Sequence, residues 1–129
     1  MFLPLTKREN ELATVVVDIA FSLHRALGPG LLESVYEKCF CYELTQKKIP
    51  FLRQQLVPIE YKGLLVEDGL RLDLLIDDQL IVELKAQENF HLIWEAQLLS
   101  YLKLTGNRIG YIVNFHVPLI KDGLKRLII

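Results

Sequence analysis

From Gly69 to Ala86 apolar residues recur at every second position, with one break at Asp77-Asp78-Gln79. A period of two marks a β-strand, so the stretch reads as two strands joined by a tight turn. In the first strand Leu70, Leu72, Leu74 and Ile76 alternate with Arg71, Asp73 and Leu75. In the second, Leu80, Val82 and Leu84 alternate with Ile81, Glu83 and Lys85. One face is apolar and the other carries every charge. Directly opposite residues of an antiparallel pair point to the same side, so even-numbered residues must meet even-numbered ones. Setting Ile76 opposite Leu80, Leu74 opposite Val82 and Leu72 opposite Leu84 leaves Asp77-Asp78-Gln79 as a three-residue loop and places Asp73 across from Glu83. A two-residue turn would break this match.

Opposed side chains have Cβ atoms about 4.5–5.5 Å apart. Two carboxylates can then converge on one hard cation, whose oxygen ligands sit at about 2.0–2.1 Å for magnesium. Charged ladders on the solvated face of an amphipathic sheet are ordinary, and that is the plainer reading of this face. Two facing carboxylates, however, repel unless protonated or bridged by a cation. Lys85 stands two residues along the same strand from Glu83, with Arg71 opposite it.

The rest of the chain sets limits on what such a site could serve. At 129 residues and 51% hydrophobic content, the chain fits one domain, 1–129, that buries its core without disulfides or metal staples. A formal charge of −1 gives no global basic field, which argues against a processive DNA binder and leaves a locally positive cleft open. Cys39 and Cys41, two apart in a helical pattern, point to different faces and have no Cys/His partners at zinc spacing. No apolar run reaches the roughly 18 residues of a membrane span, and Lys7, Arg8 and Glu9 come too early for a signal peptide. The expected setting is reducing and cytoplasmic, with no membrane partner.

Taken in order, Thr6-Lys7-Arg8-Glu9 has capping-box spacing, and Leu12, Val16, Ile19, Leu23 and Leu27 recur behind it at helical intervals. A first helix of about five turns follows. It ends at Gly28-Pro29-Gly30, where the first glycine can take the left-handed conformation and the proline forbids continuation. His24, in the last turn, reads as a C-terminal charge or hydrogen bond rather than a catalytic group. A second helix runs from after Gly30 to about Lys48, with Leu32, Val35, Cys39 and Tyr42 as one stripe and Glu33, Tyr36, Glu37 and Phe40 as another. Glu33 lies in its first turn, where the helix dipole alone stabilises a carboxylate by about 0.3–1 kcal/mol.

Phe51 to Tyr61 reads as a strand that Pro58 marks as an edge or a bulge, and Glu67-Asp68-Gly69 reads as a turn before the central hairpin. Glu88-Asn89 can cap a third helix through about Leu104, stopped by Thr105-Gly106. On it Gln97 and Tyr101 share one face, while Leu98, Leu99 and Leu102 form the core contact. By spacing alone the two polar residues are partly exposed, and Trp94 is a packing residue. Arg108 to Phe115 is a further strand, parallel to the Glu83 strand through a right-handed crossover, and Leu124 to Ile129 adds a last one. Lys121, Lys125 and Arg126 form a small basic cluster near it.

Asp73 followed by Glu83-Leu84-Lys85 resembles the core of the PD-(D/E)XK nuclease superfamily. Gly30-Leu31-Leu32-Glu33-Ser34-Val35-Tyr36, with His24 to Pro29 before it and Gln97 and Tyr101 after it, resembles the small GxxExxY branch. The residue before Asp73 is Leu72, where the superfamily's namesake has proline. The resemblance extends from about Thr6 to the end. It implies an α/β fold with a restriction-endonuclease-like core: helix, helix, a three-stranded antiparallel meander, helix and strand, with helices flanking a mixed sheet.

It also implies Mg²⁺ or Mn²⁺ held by Asp73, Glu83 and the Leu84 carbonyl, with Glu33 as an added ligand directly or through water. Lys85 would act on the phosphate or the attacking water, Gln97 would steady water or Lys85, and Tyr101 is a weaker candidate. The implied activity is hydrolysis of a nucleic-acid phosphodiester, DNA before RNA. Two other classes stay open: a catalytically silent module of this fold that binds a protein partner or a second copy, and a metal-dependent hydrolase of a small phosphorylated molecule.

Overall fold

Helix α1, Lys7–Leu27, begins where the capping box puts it. The Thr6 hydroxyl accepts from the Glu9 N–H at 3.1 Å, and the Glu9 carboxylate accepts from the Thr6 N–H at 2.7 Å. The computed structural model describes residues 3–129. After α1 come α2 (Glu33–Gln46), strands β1 (Phe51–Tyr61), β2 (Leu64–Ile76) and β3 (Leu80–Lys85), and helix α3 (Leu92–Thr105). Strand β4 (Ile109–Asn114), a 3₁₀ turn (Ile120–Asp122) and β5 (Leu124–Ile128) complete it. The five strands lie in chain order in one mixed sheet, with β3 and β4 parallel and every other pair antiparallel. A parallel pair needs a crossover, and α3 supplies it.

Helices α1 and α2 cover one face of the sheet. Leu12, Val16, Ile19 and Leu23 of α1 meet Tyr36, Phe40 and Leu44 of α2 over Leu74, Ile76, Leu80, Val82 and Leu84. Helix α3 covers the other face, where Trp94, Leu98 and Leu102 pack on Leu70, Leu72, Ile81 and Ile112. Burying each such side chain contributes about 1.5–3 kcal/mol. The expectation of one apolar and one charged face is therefore corrected. Both faces of β3 are covered, as a strand with a parallel neighbour requires, and the charges occupy a local opening.

The hairpin loop is the three-residue Asp77-Asp78-Gln79, with Ile76 opposite Leu80 and Leu74 opposite Val82. Its two aspartates take φ of +49° and +58°, and the Gln79 N–H donates to the Ile76 carbonyl at 2.9 Å. Two consecutive positive φ angles give the turn hand that matches strand twist. Glu67-Asp68-Gly69 is not a turn. The chain reverses earlier, at Lys62-Gly63, and the three residues lie inside β2. The β1–β2 register steps from Val57↔Leu70 to Ile59↔Val66, so they bulge opposite Pro58, which has no N–H to give the ladder.

Three helix expectations also shift. On α2 the glutamate-bearing stripe is the buried one: Tyr36, Glu37, Phe40 and Leu44 face the sheet, while Leu32 and Tyr42 are 73% and 63% exposed. α3 starts at Leu92 rather than at Glu88-Asn89: His91 is its N-cap with an extended backbone, and the rings of Phe90 and His91 meet Trp94 edge-on at 5.0 and 5.1 Å. Gly28 ends α1 with φ +70° but ψ −175°, so it turns the chain away without entering the left-handed helical region.

Candidate active site in the seam between two strands

The ladder between β2 and β3 contains Leu74↔Val82, Leu75↔Ile81 and Ile76↔Leu80, and stops there. Buried backbone groups still need partners. Beyond Leu74 the acids provide them: the Asp73 N–H donates to Glu83 Oε2 at 3.1 Å, and the Leu84 N–H donates to Asp73 Oδ2 at 2.9 Å. The two carboxylates are thus interlocked across a seam where backbone pairing has given way to side chains. Asp73 and Glu83 do meet, but not by the expected continuation of the ladder: Leu72 lies on the α3 side and Leu84 on the α1–α2 side, so the Leu72–Leu84 pair does not form and the two acids are joined by these bonds instead.

Glu83 is 4% exposed. Burial first, then the charge of Asp73 and a hydrogen bond with its side chain, push its carboxyl up to about 9, against smaller opposing pulls from the Asp73 N–H and then from Lys85. Burial and the facing charge thus favour the protonated form of Glu83 when no cation is bound. A hard cation can take the place of that proton.

Glu33 opens the first turn of α2, and with Asp73, Leu84 and Arg71 it lines a cleft of about 200 Å³. Desolvation and then the Asp73 charge raise its carboxyl, with Lys85 opposing, so it lies within electrostatic reach of both. Tyr36, one turn on, is wholly buried and clamps the preceding turn. Its hydroxyl donates to the Gly28 carbonyl at 2.5 Å and accepts from the Leu31 N–H at 3.2 Å, while its ring stacks on Phe115 at 4.2 Å. Glycine, glutamate and tyrosine of the Gly30-to-Tyr36 run thus make the turn, reach the cleft and lock the turn.

Lys85 ends β3 with its Nζ 5.3 Å from the Trp94 ring centre, so Trp94 supports the lysine as well as packing. Tyr101 faces the seam from α3. Burial and then the charges of Glu83 and Asp73 raise its hydroxyl, while a hydrogen bond with Gln97 and the charge of Arg71 oppose. Gln97 is therefore brought to Tyr101 near the acids. His24 bonds the Val117 carbonyl at 2.8 Å, so its side-chain contact is with a distant loop and not with the end of its own helix. Cys39 and Cys41 are unpaired, and burial raises the Cys41 thiol to about 11, which keeps it neutral.

The sequence did not single out Glu37, Arg53 or Gln54. Glu37 reaches the cleft from α2 and is 7% exposed, with its carboxylate accepting from Arg53 Nε at 2.9 Å and from Gln54 Nε2. The usable signal was the glutamate on the stripe that turned out to be buried, because a buried carboxylate requires a partner.

A family model for the PD-(D/E)XK nuclease superfamily matches residues 10–127. The chain belongs to that superfamily. No curated protein and no solved structure gave a match. The matched span runs from the second turn of α1 to within one residue of the end of β5, and the order of elements is consistent with a restriction-endonuclease-like fold. PD-(D/E)XK nucleases are typically metal-dependent. Among the described residues no three or more His, Cys, Asp or Glu side chains gather closely enough to hold a metal. Asp73 and Glu83 form a two-carboxylate set, which fits magnesium, an ion that takes one or two carboxylates and fills its other positions with water and substrate phosphate. No helix among the described residues is long and apolar enough to cross a membrane.

Proposed function

We propose that the chain is a Mg²⁺- or Mn²⁺-dependent phosphodiesterase of the GxxExxY branch, acting on nucleic acid and on DNA in preference to RNA. The observation that carries this reading is the interlocked Asp73–Glu83 pair, with Lys85 two residues along the strand from Glu83. Asp73, Glu83 and the Leu84 carbonyl would hold the ion, with Glu33 as an added ligand directly or through water. When bound, the ion supplies Lewis-acid chemistry, drawing charge from a phosphate oxygen and acidifying water. Lys85, steadied over Trp94, stabilises the charge that grows on the phosphoryl oxygens. Gln97 and Tyr101 orient water at the α3 side of the seam. Arg71 lines the cleft beside Asp73 and offers a cation to the polyanionic strand.

The test is cleavage of single- and double-stranded DNA and of RNA, with Mg²⁺, with Mn²⁺ and with chelator, for the parent and Asp73→Asn. Metal-dependent cleavage that Asp73→Asn abolishes is expected, because an amide keeps the shape but loses the charge the ion needs. A parent that cleaves none of these substrates and binds no Mn²⁺ would remove the reading.

A further inference from the structure

Strands β1 and β2 change faces together. Phe51 packs on the side of α1 and α2, yet Val57 and Ile59, of the same parity, pack on the side of α3. In β2, Leu74 and Ile76 lie on the first side and Leu70 and Leu72 on the second. A regular strand cannot do this, since a period of two keeps residues i and i+2 on one face. The step falls at Gln54 and Asp73, because the register pairs Arg53 with Leu74 and Gln55 with Leu72 and leaves the two residues between them unpaired.

Gln54 has a φ of +52°. That conformation is strained for a residue with a Cβ and persists only where the surroundings over-determine it. Glu37 does so here. Its buried carboxylate accepts from Arg53 Nε and from Gln54 Nε2, so two consecutive side chains reach the same helix. Two neighbours on one side is what a change of face requires.

We propose that Gln54 and Glu37 are positioning residues for the site. The left-handed backbone at Gln54, held by Glu37, makes the step in the sheet that takes Asp73 out of the regular alternation and turns its carboxylate into the seam, onto the Leu84 N–H. The inference rests on the reading of Asp73 as a metal-binding carboxylate, and it adds the device that aims it.

The variants Gln54→Gly, Gln54→Val and Glu37→Gln in the full chain test it. Glycine accepts a positive φ without strain, whereas β-branched valine is excluded from it. Two readouts are needed: the amide proton resonance of Leu84, which reports its carboxylate partner without any metal, and Mn²⁺ affinity by calorimetry. In Gln54→Val the Leu84 resonance should move upfield as the bond is lost, and Mn²⁺ affinity should fall about tenfold or more. Gln54→Gly should stay within about threefold of the parent, since the backbone and not the side chain sets the step. Glu37→Gln should move both readouts in the direction of Gln54→Val, and it decides the matter if the valine variant does not fold. Parent-like values in both Gln54→Val and Glu37→Gln overturn the proposal, and a tenfold loss in Gln54→Gly overturns the role of the backbone. If the parent binds no Mn²⁺, the metal reading fails, while the Leu84 resonance still decides whether Gln54 aims Asp73.

Discussion

Replacing Glu83 with glutamine asks whether the acid pair takes up a proton when no cation is bound. Burial and the neighbouring Asp73 raise the Glu83 carboxyl from 4.5 to about 9 in the folded protein. The folded state then binds this proton more tightly than the unfolded chain. Its contribution to stability is complete below about pH 4.5 and is lost progressively as the pH rises toward 9. Inside that window the folded state holds up to one extra proton, so stability falls by as much as ~1.4 kcal/mol per pH unit. Between pH 6 and pH 8 the loss is about 3 kcal/mol, or roughly 10 °C in Tm for a chain of this size. Glu33, also raised, tilts the curve the same way, so the quantity to measure is the difference between parent and variant. Glu83→Gln keeps the acceptor for the Asp73 N–H and adds an amide donor toward Asp73. Urea unfolding of chelator-treated protein at pH 6, 7 and 8 should give a parent slope steeper than the variant's by about 1 kcal/mol per pH unit. Parallel curves would refute the reasoning, because Glu83 would then be ionised in the metal-free fold.

Added Mg²⁺ should raise the Tm of the parent more at pH 8 than at pH 6, since ion and proton compete for the same oxygens; an equal rise at both would place the ion elsewhere. Lys85→Met should leave Mn²⁺ affinity within about twofold while cutting cleavage by roughly 10²-fold or more, and full activity would take Lys85 out of the chemistry. Gly69→Ala should cost about 1–3 kcal/mol in urea unfolding, because its Cβ would lie 2.4 Å from Ile59 Cγ1 and 2.9 Å from Ile59 Cγ2, so that turning the side chain to relieve one branch leaves the other; no loss would mean the bulge shifts to admit the methyl. Tyr36→Phe should cost about 1–3 kcal/mol by leaving the Gly28 carbonyl and Leu31 N–H unpaired, and a loss below about 0.3 kcal/mol would mean water replaces the hydroxyl.

The sequence carried what alternation and local chemistry control. Parity alone set the Ile76–Leu80 match and the three-residue loop, and capping chemistry placed the start of α1 at Thr6. Failures came where a distant partner overruled a local signal. Glu67-Asp68-Gly69 has turn composition, but Pro58 on the neighbouring strand makes it a bulge, and only the register relates the two. The face change at Asp73 left no trace in the alternation of β2, since leucines stand on both sides of the step. Its cause sits in Gln54, whose φ no residue pattern announces. Asp73, Glu83 and Lys85 stood out in the sequence because two facing carboxylates repel unless protonated or bridged by a cation, and because their order resembles the superfamily's core. Glu37 was not, because a helical glutamate looks solvated until the helix is docked.

Tyr36 has a bearing on how the molecule moves. Its ring lies flat on Phe115, whose N–H donates to the Lys85 carbonyl at 3.0 Å, and its hydroxyl holds the turn before Glu33. A chain of buried contacts thus joins the start of α2 to the end of β3. Local opening spares such blocks and takes segments with few buried neighbours. The far end of the β1–β2 ribbon is one, with Tyr61, Leu64 and Leu65 exposed at its tip. The acids and the lysine therefore sit on an anvil, and local opening falls to the tip of the ribbon.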